Sequence, residues 1–316
     1  FVATIAALAA LVWGVVYARR GSLLVACLAT LVVGYVFGYW FWHADLGPLP
    51  LTLDRLALVG LLAVVLAKFA MDQLAGRGLC GADWLLGGLL ALVTVSAVLA
   101  GTPELGPDVP SPRWRLVASF WFPAILYIAV RRSQFSPQIV KTFLAGMTLL
   151  GVYLAATALA EVAGQWWAVF PRYIADPKLG EHFGRARGPA LNSASLGVYL
   201  TVCIWCAWSL LGHVNRAVQL ALLAAMPLMA AAVYLTYTRS TWLGLALSAF
   251  VMLWLSVPRQ WRLPMVSATA LAAVVMAAIA WNQIVGLERE GSAGDSQHSV
   301  QQRTAFAYVS WQMFCE

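Results

Sequence analysis

Charge is scarce in this chain. Only 10% of its 316 residues are Asp, Glu, Lys or Arg, with 20 basic residues against 13 acidic ones. Soluble domains carry about 25% charged and about 45 to 50% apolar residues, whereas here 62% are apolar and the mean hydropathy is +0.79. A water-soluble globule of this length has too little interior to hide that much apolar surface, so the chain reads as an integral membrane protein. The few charges collect in islands such as Arg19-Arg20, Arg131-Arg132 and Arg259-Gln260-Trp261-Arg262. Between the islands lie apolar runs of about 20 residues, the length that crosses a bilayer as a helix. Long runs exclude a transmembrane barrel, whose strands are short and alternating. The net charge of +7 sits largely beside helix ends, where it orients a chain in the membrane, so a nucleic-acid partner is excluded.

Other absences narrow the reading further. The opening run has no charged n-region and no Ala-x-Ala site, so it reads as a retained helix and not a removable signal. Phe1 in place of Met, and an apolar run that breaks off before Glu316, read as a piece of a longer chain. Cys27, Cys80, Cys203, Cys206 and Cys315 are odd in number and form no disulfide framework. Cys203 and Cys206 share a helix face without polar partners, which suits small apolar packing better than a redox or metal CxxC. No repeat period and no inverted-repeat hydropathy is visible. Ionisable groups at mid-membrane, which a transporter needs along its pathway, are nearly missing. Lys68 and Asp72 are expected to pair at i,i+4 near one end of a helix, and Glu161 falls at the end of another.

What remains is an all-α, polytopic transmembrane helix bundle, a single domain over 1–316 with about ten helices. They are expected near Phe1–Tyr17, Ser22–Trp42, Leu56–Leu74, Trp84–Ala100, Leu116–Val130, Ile139–Glu161, Leu196–Leu211, Ala217–Thr236, Trp242–Val257 and Met265–Val285. Short connections carry Arg19, Arg20, Arg77, Arg131, Arg132, Lys141, Arg216, Arg259 and Arg262 at high density, which places them in the cytoplasm and the long connections outside. Two outer segments stand out, a loop at 162–195 and, from 286 to 316, the start of a large outer loop. Loops of that length in a compact domain are usually functional or disordered. Trp166-Trp167-Ala168-Val169-Phe170 reads as an interfacial aromatic stretch, or more sharply as the wall of a lipid-substrate groove.

Three arginine-bearing elements fall on the expected outer side. In the first, His182-Phe183-Gly184-Arg185-Ala186-Arg187-Gly188, two planar guanidinium forks stand on glycine-flanked backbone that a bulky anion can approach, an arrangement fit for phosphate oxygens. The second is Thr236-Tyr237-Thr238-Arg239-Ser240-Thr241-Trp242, a lone arginine among hydroxyls in a tight turn between apolar helices. The third is Ser299-Val300-Gln301-Gln302-Arg303. For each, the plain alternative is a charged loop or a headgroup anchor. No outer loop has His or carboxylate residues at metal-ligand spacing, and Glu288-Arg289-Glu290 reads as a solvated strip, so no metal and no cofactor is expected.

The elements Arg185-Ala-x-Gly188-x-x-x-Asn192-x-x-x-Leu196-Gly197 and Thr236-x-Thr238-Arg239-x-x-Trp242-Leu243-Gly244, followed by an outer loop opening with Arg303, resemble the O-antigen ligase and O-antigen polymerase superfamily. Ser193-Ala194, Thr238 and Ser240 depart from the commoner residues of that pattern. The resemblance implies glycan transfer on the periplasmic face of the bacterial inner membrane. An undecaprenyl-diphosphate-linked glycan is the donor, a hydroxyl of a lipid A core or another glycan is the acceptor, and membrane lipids surround the enzyme. It implies Arg239 and Arg303 as catalytic residues and Arg185, Arg187 and Arg239 as diphosphate-binding residues. One arginine about 4 Å from a phosphate oxygen is worth roughly 4 kcal/mol at an effective dielectric near 20, before desolvation. The family's base falls beyond Glu316, with His298 and His182 the imidazoles at hand; His43 and His213 read as interfacial. Ligase and polymerase types share a donor and differ in acceptor. The competing class is a non-enzymatic carrier or flippase of lipid-linked oligosaccharides, which needs charges inside the bundle.

Overall fold

The computed structural model describes residues 21–37, 39–45, 50–73, 78–99, 116–180 and 183–256, with short pieces between 258 and 312. The expected helix at 1–17, nearly all of that at 265–285, and most of the final segment from 286 lie outside the described residues. Eight α-helices have defined bounds among those described: α1 Leu23–Val36, α2 Leu53–Ala70, α3 Gly81–Leu99, α4 Phe122–Arg132, α5 Pro137–Val162, α6 Ser193–Leu210, α7 Arg216–Tyr234 and α8 Arg239–Ser256. A short antiparallel hairpin, β1 His43–Asp45 with β2 Pro50–Thr52, joins α1 to α2 in the register His43 to Thr52.

Five of the described segments are long and apolar enough to cross a membrane: Gly81–Leu99, Pro137–Val162, Ser193–His213, Arg216–Tyr234 and Arg239–Ser256. The other described helices at expected spans are shorter or more polar. Helix α2 carries Asp54, Arg55 and Lys68, and α4 has 11 residues, preceded by a π-helical turn over Val117–Trp121. The run expected to be helical through Trp42 stops at Val36. Aromatic residues count as apolar in a helix and in an interfacial turn alike, and Tyr39, Trp40, Phe41 and Trp42 stand exposed in the turn before β1. Lys68 also departs from expectation. Its Nζ donates to Gln73 Oε1 at 3.2 Å, because the helix ends at Ala70 and Asp72 takes a left-handed φ of 53° in the turn beyond.

The core gathers around α5. Met147, Leu150, Leu154, Ala155 and Ala158 of that helix meet Val36 of α1, Leu196, Leu200, Cys203, Ile204 and Ala207 of α6, and Met229, Ala232 and Val233 of α7. Small residues set the approach. A Cβ on Gly151 would lie 2.4 Å from the Cβ of Cys203 and 2.5 Å from the sulfur of Met229, so three helices close on one glycine in the manner of membrane helix packing. Cys203, 1% exposed, is thus a small packing residue.

Helices α5, α6 and α7 follow one another through short or folded-back connections, so the C-terminus of α5, the N-terminus of α6 and the C-terminus of α7 share one end of the bundle. We call this the arginine end. The end of α1 reaches it too, where Tyr35 meets Tyr199 of α6 at 3.6 Å between ring centroids. Elsewhere, Arg131 at the end of α4 forms an ion pair with Asp83 in the first turn of α3 and donates to Gly78 O at 3.1 Å. The residues from Ala246 onward form a second compact unit, in which Phe250 packs on Trp254 and the Arg262 guanidinium lies 5.5 Å from the Trp254 ring.

Candidate functional site

The arginine end is built by a 30-residue connection, 163–192, and by a short turn, 235–238. The long connection has its own small core, in which Val169, Ile174 and Leu191 are buried against Ala160, Trp166, Tyr173 and Leu179. Side chains tie its coils to backbone: the Tyr153 hydroxyl of α5 donates to Phe170 O, Tyr173 to Pro189 O at 2.7 Å, and Arg172 to Trp166 O at 3.0 Å. Two turns require glycine. Gly180 has φ 71° and a Cβ there would meet the Cβ of Leu191 at 2.5 Å; Gly188 has φ 57° and would meet Leu196 at 2.9 Å. Trp166 opens a single 3-10 turn and stacks on Phe183 at 5.5 Å, while Trp167 is exposed.

The two arginines of the first element have different fates. Arg187 is 0% exposed. Its Nε donates to Glu161 Oε1 at 3.1 Å, Nη1 to Leu179 O at 2.6 Å and Nη2 to Ile174 O at 2.7 Å. Its backbone N–H and that of Gly188 both donate to Glu161 Oε2, at 2.8 and 3.0 Å. The guanidinium also lies 4.7 Å from the ring centroid of Phe183. Arg187 was expected to assist in holding a diphosphate; the structure instead commits all three guanidinium nitrogens inside the protein. Arg185, two residues earlier, is only half-buried. After it, Asn192 caps α6, its Oδ1 accepting the Ser195 N–H at 3.0 Å.

The second element is organised by its own hydroxyls. Thr236, 0% exposed, donates to Val233 O at 2.7 Å, and its hydroxyl oxygen lies 3.3 Å from that of Thr241. Thr238 donates to Thr236 O, and Thr241 to Thr238 O at 2.8 Å. The indole N–H of Trp242 reaches back to Val233 O and Tyr234 O, at 3.1 and 3.2 Å. The threonines beside Arg239 thus close the turn. Arg239 and Ser240 are exposed in the first turn of α8.

The two elements touch. The Ala186 N–H donates to Leu235 O at 3.2 Å, and Gly197 packs so closely on Thr241 that a Cβ would lie 2.7 Å from its side chain. Arg185 and Arg239 are thus mounted on adjoining backbone at one end of the bundle. Arg303, His182 and His298 lie outside the described residues. His43 is exposed and stacks on Tyr39 at 4.5 Å; His213 contacts Ser209 O through Nδ1 after the far end of α6. What the sequence reading missed is the part of Glu161. The available signal was a carboxylate in the last turn of an apolar helix, which needs a partner to stay there.

The fold is that of a multi-pass membrane protein, with Arg185 half-buried and Arg239 exposed at one end. A family model described as O-antigen ligase matches residues 224–316. The matched stretch takes in the Arg239 element and begins after the Arg185 element; it supports the resemblance to the O-antigen ligase superfamily. No curated protein and no solved structure matches the chain.

Proposed function

We propose that this protein is a metal-independent membrane glycosyltransferase of the O-antigen ligase or O-antigen polymerase type. It transfers a glycan from an undecaprenyl-diphosphate-linked donor to an acceptor hydroxyl on the periplasmic face of the inner membrane. The observation that carries the reading is the joining of the Arg185 and Arg239 elements through the Ala186 to Leu235 hydrogen bond and the Gly197 to Thr241 contact. In the transfer, the acceptor oxygen bonds to the anomeric carbon of the donor sugar, and the bond from that carbon to the diphosphate oxygen breaks. The acceptor loses its proton to a base, and negative charge builds on the departing polyprenyl diphosphate. Arg185 and Arg239 are assigned to that charge, with Arg303 as a third clamp. Fixed cations aimed at developing charge stabilise the transition state more than the ground state.

The placement of Arg239 supports the assignment. A cation in the first turn of a helix opposes the helix dipole, and the opposition is relieved when an anion comes to it. When one does, the guanidinium and the helix terminus attract it together.

The test uses the full-length protein in proteoliposomes with an undecaprenyl-diphosphate-linked glycan, with and without a lipid A core acceptor, and reads product size on a gel. One shifted band that needs the acceptor identifies the ligase type, and a ladder from donor alone the polymerase type. Absence of product in both arms overturns the enzyme reading in favour of a lipid-linked oligosaccharide carrier, which a flipping assay then measures.

A further inference from the structure

We infer that Glu161 and Arg187 are a positioning pair that sets where Arg185 stands. The inference rests on the reading of Arg185 as a ligand of the donor diphosphate. Glu161, 4% exposed, belongs to the last turn of α5, the helix at the centre of the core. Its carboxylate accepts three hydrogen bonds from the Arg187–Gly188 backbone and the Arg187 side chain, all between 2.8 and 3.1 Å. Arg187 then extends outward to the carbonyls of Ile174 and Leu179. One carboxylate and one guanidinium therefore staple three separate coils of the 163–192 connection to the most firmly held helix of the bundle. Arg185 follows directly from this anchor, with a single residue, Ala186, between them. Ala186 is itself buried and bonded to Leu235.

Both side chains are buried and bonded to protein atoms. Their effect on transfer passes through Arg185. A misplacement of about 1 Å at a reacting centre is enough to cost about 100-fold in rate, and loss of this anchor frees the backbone that carries Arg185. Glu161→Ala is expected to lower turnover by about 100-fold. Glu161→Gln, whose amide oxygen still accepts from the two backbone N–H groups while its NH2 faces the Arg187 Nε–H, is expected to lose less activity than Glu161→Ala.

The deciding measurement is a double-mutant cycle in full-length protein reconstituted in proteoliposomes, with Glu161→Ala, Arg185→Ala and the two combined, at matched membrane levels. If Glu161 acts through Arg185, the double variant is no slower than Arg185→Ala, because the second loss removes what is already gone. Losses that multiply show that Glu161 merely supports the fold, and they overturn the inference; so does a Glu161→Ala enzyme with wild-type turnover. A second readout is independent of transfer. Trypsin is expected to leave the bond after Arg187 intact in the wild type and in Glu161→Gln, and to cut it in Glu161→Ala; protection that persists in Glu161→Ala overturns the anchor. An active Arg185→Ala enzyme with the cut appearing in Glu161→Ala sinks the diphosphate reading of Arg185 and with it the positioning role, while leaving the staple standing.

Discussion

The 163–192 connection and the 235–238 turn each present an arginine at the same end of the bundle, yet they are held by opposite means. The long connection is fixed by a buried ion pair and carbonyls gathered around Arg187. The short turn is fixed by threonine hydroxyls and an indole, with Arg239 left exposed. The difference is one of distance along the chain. A turn of four residues can satisfy its backbone locally with Ser and Thr, whereas a 30-residue connection has carbonyls far from any helix and needs a long, multiply donating side chain to reach them. In both elements the polar neighbours that invite an anion-binding reading are occupied in scaffolding. Arg185 is half-buried and Arg239 exposed.

The largest effect that sharpens this contrast is on transfer. Arg239→Ala is expected to lose about 10²- to 10³-fold in turnover, the range seen when one preorganised donor to developing charge is removed, with insertion and expression intact. Arg239→Lys is expected to recover a part, since the charge remains but the planar fork does not. Reconstituted transfer assays check both. An active Arg239→Ala enzyme breaks the division of labour between the two elements.

Stability is expected to respond the other way round. Arg187→Ala leaves a buried carboxylate and two orphaned carbonyls, a loss of about 3–5 kcal/mol for a broken buried pair. Arg239→Ala, on an exposed position, is expected to stay within about 0.5 kcal/mol. Thermal unfolding in detergent compares the two variants directly. Equal melting temperatures would mean that Arg187 is not the anchor its contacts describe.

A third variant tests the junction of the elements and not either alone. Gly197→Ala places a Cβ 2.7 Å from Thr241, and an added methyl in a packed contact costs about 1–3 kcal/mol. It is expected to lower transfer as well, because the turn bearing Arg239 is pushed from the helix that follows Arg185. Gly244→Ala is the control, as an added Cβ there meets no other group within 4 Å among the described residues.

The helices were legible because an apolar run of spanning length is itself the structural unit. The expected Ile139–Glu161 and Leu196–Leu211 appear as Pro137–Val162 and Ser193–Leu210. The overextension of α1 past Val36 marks the limit of hydropathy, which does not separate an aromatic turn from a helix. At the site, the motif spacing located both elements, and the structure gives several of its positions a mechanical reason. Gly188 makes a left-handed turn, Asn192 caps α6, Gly197 meets Thr241, and Trp242 closes the turn. Which arginine is buried was not legible. Arg185 and Arg187 are alike in local sequence, and what separates them is a carboxylate 26 residues earlier, brought near only by the fold.

A smaller loss than at Arg187 is expected at the other described ion pair, Arg131 with Asp83, and it tests why the Glu161 pair matters. Arg131 keeps 25% of its side chain exposed, where water screens the attraction. Asp83 also has compensation of its own. It lies in the first turn of α3, where a negative charge favours the helix dipole, and its Oδ2 accepts the Cys80 N–H at 2.7 Å. The Asp83 side chain is only 5% exposed, however, and its Oδ1 accepts no hydrogen bond among the described residues. Arg131→Ala is therefore expected to cost more than loss of an exposed pair but less than that of a fully buried one, about 3–5 kcal/mol. Glu161 has the reverse setting: it sits in the last turn of α5, where the dipole opposes a carboxylate, and its support comes wholly from Arg187 and Gly188 among the described hydrogen bonds. Melting curves of Arg131→Ala and Arg187→Ala in the same detergent measure the gap. Similar losses would show that helix-end position does not govern these pairs, and that the anchor at Glu161 is an ordinary ion pair.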